Sequence, residues 1–204
     1  MLAKNLTEKK QENILNVAGE LFLERGYDAV SLDDILERVG GSKTTLYSYY
    51  GGKEGLFAAM VRKRCEDKLA PLHQLSITHL DPQAGLSAIG VAFLSILDDQ
   101  EGRALYRMMI AEADRFPELA VAFYTAGASS ITALLRKSIE NWQTKGMLGR
   151  GNAEILAIQF LGIMMGDFSI KSLLGLTKTC DVKEIEEWVA HGVTLFLEGA
   201  SKQR

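Results

Sequence analysis

Residues 14–60 read ILNVAGELFLERGYDAVSLDDILERVGGSKTTLYSYYGGKEGLFAAM, and their punctuation decides the fold. Ile14, Val17, Ala18, Leu21 and Phe22 recur with the i, i+3, i+4, i+7, i+8 spacing of one helix face. Gly26 ends that helix, because glycine takes the left-handed conformation that closes a helix C-terminus. Ser31 and Asp34 then stand as a capping box, with Val30 and Ile35 placed for a hydrophobic staple around it. Gly40-Gly41 breaks the chain after about two turns, Ser42 is placed to cap a short helix through Tyr49, and Lys53 opens a fourth helix to roughly Leu69.

Helices of about 19, 8 and 7 residues, the last two joined by a glycine turn, have the proportions of a helix-turn-helix unit. In such a unit the second helix of the pair enters the DNA major groove and presents its N-terminal residues to base edges. Here it reads SKTTLYSYY, residues 42–50, with a lysine, hydroxyls and tyrosines as donors for phosphate oxygens and groove edges. Leu46 is its apolar residue, expected to anchor on Ile14, Leu21 and Ile35. Lys53 adds a cation beside a helix N-terminus, itself attractive to phosphate. The same hydroxyls and tyrosines also fit an ordinary solvated helix face.

Outward from this segment the helical period continues. Asp81-Pro82 is a cap followed by proline at the first helical position, and Phe116-Pro117 ends one helix and starts another. The latter is periodic through Leu119, Phe123, Gly127, Ile131, Leu135 and Trp142. A helix from Asn152 to Leu174 is apolar on nearly all sides. Ile155, Leu156, Ile158, Leu161, Ile163 and Met165 cannot all point inward, and Gly162 and Gly166 are spaced to let another helix approach. The last helix starts at Asp181 with Glu184 and presents Ile185, Trp188, Val189 and Phe196 on one face. Strand alternation, internal repeats and low-complexity tracts are missing from the 204 residues, so the expected fold is all-α, about nine helices.

Composition narrows the function. The chain is 47% hydrophobic and 24% charged, enough to bury a core and too mixed in sign for disorder. No uninterrupted apolar run reaches the roughly 18 residues of a membrane span, and the start, MLAKNLTEKK, lacks the apolar centre of a signal peptide. Two distant cysteines, Cys65 and Cys180, fit a reducing cytoplasm. Net charge is −3, yet the first seventy residues carry 11 Lys+Arg against 11 Asp+Glu. The acidic surplus lies beyond them, so DNA contact must rest on a local cluster. A G-x-S-x-G elbow, a phosphate-cradling glycine loop, H-E-x-x-H and paired cysteines are lacking, and His73, His79 and His191 lack metal-ligand spacing. No enzyme, cofactor or metal is expected. Cys65 beside Arg62, Lys63 and Arg64 leaves open a redox sensor with a lowered thiol pKa, against an ordinary core cysteine.

Residues 14–60 resemble the N-terminal domain of the TetR/AcrR family of transcriptional regulators. The resemblance rests on I-L-x-x-A-x-x-L-F-x-x-x-G at 14–26, V-S-x-x-x-I at 30–35 and S-K-x-T-L-Y-x-Y-Y-x-x-K-E-x-L at 42–56. Residues 107–127, RMMIAEADRFPELAVAFYTAG, are similar to the AefR-like C-terminal domain of some members. The resemblance implies a DNA-binding head at 1–52, a connecting helix at 53–74 and a ligand-binding, dimerising body at 75–204. It places Lys43 and Thr44 at base edges, and Thr45, Tyr47, Tyr49 and Lys53 on phosphates. Ser42 would cap the recognition helix and touch the DNA backbone, and Ser31 would meet phosphate from the preceding helix. Thr44 stands where glycine is frequent, Tyr49 where histidine is, Gly41 where a small apolar residue is usual, and Gly51-Gly52 where a polar cap is usual.

The implied regulator is a homodimer paired through its last two helices. It represses by binding a pseudo-palindromic double-stranded DNA operator and is released by a small hydrophobic effector. Met108, Met109, Phe123, Tyr124, Phe160, Met164 and Phe168 are the candidate pocket residues, since methionine and aromatics suit adaptable apolar cavities. Each taken singly fits plain core better, and the pocket as a whole rests on the family resemblance. Glu112 and Arg115 are either a polar end of that pocket or surface ion pairs. A helical binding protein without specific DNA contact is the other reading.

Overall fold

The computed structural model describes residues 2–75, 77, 79–176 and 180–201. Among them every regular element is helical. The order is α1 (Leu2–Arg25), α2 (Leu32–Val39), α3 (Lys43–Tyr50), α4 (Lys53–His73), α5 (Pro82–Asp98), α6 (Gln100–Glu112), α7 (Pro117–Tyr124), α8 (Ser130–Thr144), α9 (Ala153–Leu174) and α10 (Val182–Ser201). A π-helical turn, Thr125–Ser129, joins α7 to α8, which leaves nine continuous rods among the described residues. The helix expected from Pro117 through Trp142 is thus continuous, with one π turn inside it. Gly127, a weak helix former, lies in that turn.

The ends form where the capping chemistry places them. The Ser31 N–H donates to Asp34 Oδ2 at 2.7 Å while the Asp34 N–H donates to Ser31 Oγ at 3.1 Å, a complete capping box. The Ala84 N–H donates to Asp81 Oδ1 at 2.9 Å ahead of α5, and Asp181 and Glu184 exchange backbone-to-carboxylate bonds of 2.8 and 3.1 Å ahead of α10. Gly26, Gly40 and Gly51 take positive φ at the ends of α1, α2 and α3.

The helices divide into two compact units. The first comprises α1–α3, α4 through Asp67, and Ala104–Ala126. Its core joins Ile14, Ala18, Leu21 and Phe22 of α1 to Val30, Ile35, Leu46, Leu56, Phe57 and Met60. Leu105, Met108, Met109, Phe116 and Leu119 complete that core. Compactness therefore cuts the chain differently from the partition expected at residues 52 and 74. The physical reason is aromatic: Tyr27 and Phe57 lie with ring centroids 4.9 Å apart, and Phe116 covers Tyr27 at 4.7 Å. Burying such rings stabilises by about 1.5–3 kcal/mol each, and α1–α3 alone are too short to cover them.

The second unit holds Lys68–Arg103 and the chain from Gly127 onward. In it α8 packs on α9, and α10 lies on α5 and α9. Its core includes Ile89, Phe93, Leu135, Trp142, Phe160, Met164, Val189 and Phe196. Trp142 is fully buried, and its Nε1–H donates to the Leu80 carbonyl at 2.9 Å. Close approach is bought with missing side chains: a Cβ on Gly85 would stand 2.5 Å from the Trp142 ring, and one on Gly192 2.3 Å from Met164 Cε.

Helix α9 resolves the expected crowding by splitting its apolar residues. Ala157, Phe160, Leu161 and Met164 are buried, Leu156, Ile163 and Met165 half-buried, and Ile155 and Ile158 exposed. The two spaced glycines differ in their surroundings. A Cβ on Gly162 would meet nothing within 4 Å, but Gly166 takes φ +29°, ψ −137° and breaks the helix. Trp188 Nε1–H donates to the Met164 carbonyl at 3.0 Å beside this break, which holds Trp188 at the rim, 39% exposed, rather than on the buried face of α10. By length and composition, Pro117–Thr144 and Ala153–Leu174 are apolar enough to cross a membrane. The second is the helix interrupted at Gly166, with Phe160 and Met164 packed into a protein core.

Candidate DNA interface

Helix α3 is anchored by Leu46, with Tyr49 and Tyr50 half-buried against the same core, and displays its other side. Leu46 is 1% exposed in the core that contains Ile14, Leu21 and Ile35, the anchor its sequence position predicts. Ser42 caps the helix: its Oγ accepts the Thr45 N–H at 3.3 Å and lies 3.0 Å from Thr45 Oγ1. Ser48 Oγ donates to the Thr45 carbonyl at 2.9 Å. With Leu46 inward, Ser42, Lys43, Thr44 and Tyr47 are exposed, while Thr45 and Tyr49 are half-buried.

The turn into α4 is shaped by a close approach. A Cβ on Gly55 would stand 1.7 Å from the Tyr50 carbonyl oxygen, so only glycine lets the start of α4 lie against the end of α3. Tyr50 pins the same corner through its hydroxyl, which donates to the Gln11 carbonyl at 3.2 Å. Burial pushes its pKa up to about 12.

Lys53 is not a free surface cation. Its Nζ sits 4.2 Å above the Tyr27 ring and donates to the Asp28 carbonyl at 3.5 Å. Desolvation pulls its pKa below the ordinary lysine value, with Asp28 opposing. Arg115, 5.2 Å over the same ring, is ion-paired to Asp28. This settles Arg115 as a surface ion pair within the first unit. The sequence reading missed this cluster because Arg115 and Tyr27 are 88 positions apart.

Lys43 too has a partner, the carboxylate of Asp33, 2.7 Å from its Nζ. That contact raises the lysine pKa, first through the hydrogen bond and then through the charge. Asp33 was unassigned by the sequence because its neighbour Asp34 answers the capping pattern. Ser31, exposed at the start of α2, donates its hydroxyl to Asp34, whose pKa is lowered chiefly by that bond. All eight DNA-contact candidates therefore lie in the first unit, at the N-caps of α2 and α3, on α3 and in the first turn of α4.

The seven pocket candidates are distributed otherwise. Met108 and Met109 are buried in the first unit, Phe123 is half-buried against Tyr106 at 5.8 Å, and Tyr124 is 61% exposed. Phe160 and Met164 are fully buried in the second unit, with Phe168 half-buried. None of the seven lines the groove of about 600 Å³ found on α9 and α10. Its walls are Arg150, Leu156, Gln159, Gly162, Ile163, Leu195, Phe196 and Gly199. Cys65 is 4% exposed, and burial pushes its pKa up to about 11, which overturns the lowered pKa considered for it.

Known proteins share this arrangement. Residues 14–60 match the family described as bacterial regulatory proteins, tetR family, and residues 84–199 match the AefR-like transcriptional repressor C-terminal domain. The HTH-type transcriptional activator FasR of Mycolicibacterium smegmatis is 31% identical over 116 residues, 56% of this chain and 51% of that protein. The HTH-type transcriptional regulator YvkB of Bacillus subtilis is 25% identical across 93% of this chain and 96% of its own. The structure of a TetR-family regulator from Mesorhizobium loti superposes with a TM-score of 0.84 at 25% identity, covering 95% of this chain and 98% of that one. The flavonoid-responsive regulator FrrA superposes at 0.78 with 28% identity, covering 97% and 100%. The two family matches together take in most of the chain, which belongs to the TetR family of DNA-binding transcriptional regulators.

Proposed function

We propose that the chain is a cytoplasmic, non-enzymatic repressor that binds a pseudo-palindromic operator as a homodimer and leaves it when a small hydrophobic effector binds. In this reading residues 1–52 hold DNA, 53–74 connect, and 75–204 sense and dimerise. The observation that carries it is the inverted polarity of α3. Leu46 and the half-buried Tyr50 fix the helix on its inner side, and Lys43, Thr44 and Tyr47 stand exposed at its start and middle. Lys43 and Thr44 read base edges there, while Ser31, Ser42, Thr45, Tyr47, Tyr49 and Lys53 grip the backbone.

Dimerisation through α9 and α10 is supported by their exposed apolar side chains. Ile155, Ile158 and Leu195 flank or line the groove at 53%, 51% and 63% exposure, with Gly162 and Gly199 leaving room for a second helix. A repressive sign is supported by the AefR-like repressor match. An apolar effector is supported by FrrA, a flavonoid-responsive relative in structure. Among the pocket residues Phe160 and Met164 are fully packed, so an effector reaches them only by displacing core side chains. Release requires that it bind the DNA-incompetent state better, with a coupling of about 1–3 kcal/mol.

The test is selection of bound duplexes from a random DNA pool at physiological salt, with a Tyr47→Ala/Lys53→Ala control. Recovery of a palindrome that the control loses is the expected result. A folded wild-type chain that enriches no sequence would overturn the reading.

A further inference from the structure

Lys43 is the first residue of α3 and Asp33 the second of α2, and their charged groups meet at 2.7 Å on the surface that displays the recognition helix. Both side chains are more than half exposed, so no apolar packing forces the contact. An exposed lysine near DNA has two kinds of acceptor. Phosphates attract it by charge and carry no sequence, whereas guanine O6 and N7 identify a base. A carboxylate beside the ammonium cancels most of its pull toward phosphate and repels phosphate itself. It leaves a hydrogen-bond donor stationed at the N-terminal end of α3, where base edges are met.

We propose that Asp33 is a specificity-determining residue of the DNA-binding surface, positioning Lys43 for a base acceptor and withholding it from the phosphate backbone. The inference rests on the DNA-binding reading above. Exposed pairs of this kind are weak, so the lysine can pass from Asp33 to a base at little cost. Asp33 thereby exchanges general affinity for discrimination, the signature of specificity built by disfavouring the wrong complex.

The experiment compares wild type with Asp33→Asn, Asp33→Glu, Lys43→Gln, Lys43→Ala and Asp33→Asn/Lys43→Ala, each as the full chain. Binding is measured across a salt series to a random-sequence duplex and to the duplex recovered by selection. Asp33→Asn releases Lys43 to a phosphate, so log K against log salt on the random duplex steepens by about 0.9. The preference for the recovered duplex falls by roughly five- to hundredfold. Asp33→Glu restores both values. Lys43→Gln loses preference with no steeper slope, and Asp33→Asn changes little when Lys43 is already alanine.

An unchanged slope and preference in Asp33→Asn would overturn the proposal. So would an equal gain in the Lys43→Ala background, since Asp33 would then act only as a distant charge. Both results leave operator binding standing. Failure of wild type to distinguish the two duplexes strikes the DNA-binding reading itself, and this inference with it.

Discussion

The exposed face of α3 and the exposed faces of α9 and α10 rest on comparable cores and show opposite chemistry to water. On α3 the displayed groups are an ammonium, hydroxyls and a phenol; on α9 and α10 the exposed residues include the apolar Ile155, Ile158 and Leu195 beside Gly162 and Gly199, among charged neighbours such as Glu154 and Glu198. The first face is at ease in solvent and, in the proposed reading, exchanges hydrogen bonds to water for hydrogen bonds to DNA, while the weakening with salt comes from cations that meet phosphate, such as Lys53 on α4. The second is unfavourable in solvent at about 25 cal/mol per Å² and binds by burial, so its attachment depends little on salt. One chain thus carries a surface suited to a reversible polyanionic partner and another suited to a lasting apolar one.

The largest expected effect comes from removing the strut beneath the apolar faces. Trp142→Ala should cost about 3–5 kcal/mol in a urea titration, because Trp142 is fully buried and Gly85 exists to admit its ring. A loss below about 1 kcal/mol would mean that the second unit is not organised around this side chain. Next, Ile158→Asp with Leu195→Asp should convert the proposed homodimer to monomer in sedimentation. An unpaired charge in a buried contact costs about 3 kcal/mol or more. A dimer that persists would place the self-association elsewhere and break the contrast between the two faces.

What the sequence disclosed follows the same division. Caps, glycine stops and the Leu46 anchor are local signals within a few residues of one another, and Ser31, Ser42 and Asp81 perform the capping they announce. Contacts between distant segments left no such mark. Nothing near Tyr27 indicates that Phe116 covers it, and the apolar period of 117–142 does not show the π turn at Thr125–Ser129. The candidate pocket was illegible for a further reason. Methionine and aromatic side chains look alike in sequence whether they line a cavity or fill a core, and Phe160 and Met164 fill one.

The contrast can be sharpened inside the first unit, between its outward face and the interior behind it. Cys65 is buried on α4, with its thiol pKa pushed from 9.0 to about 11 by burial. The unfolded thiol ionises near pH 9 while the folded one keeps its proton. The stability contributed by this group is therefore fully present below about pH 9 and lost as the pH rises through about 11. Relative to Cys65→Ala, wild type should lose about 2–3 kcal/mol across that window in urea titrations. Equal pH dependence of the two would show that the thiol ionises freely in the folded state. On the outward face the effects are smaller and different in kind. Changing Lys43 or Thr44 to alanine should alter base preference by about 1–3 kcal/mol per lost contact. Tyr47→Ala should weaken all duplexes alike and leave the salt slope nearly unchanged, since a neutral phenol releases no counterion, and the reverse pattern would exchange the roles of these residues.

The smallest effect separates folding from binding at a single hydroxyl. Ser31 accepts the Asp34 N–H at the start of α2 and is also assigned to a phosphate. Ser31→Ala should lower stability by about 1 kcal/mol, because alanine cannot cap, whereas Ser31→Gly should cost only a few tenths. Both lack the hydroxyl. If Ser31 grips phosphate, the two variants lose DNA affinity equally although their stabilities differ. If it serves only the capping box, affinity follows stability, and Ser31→Gly binds like wild type.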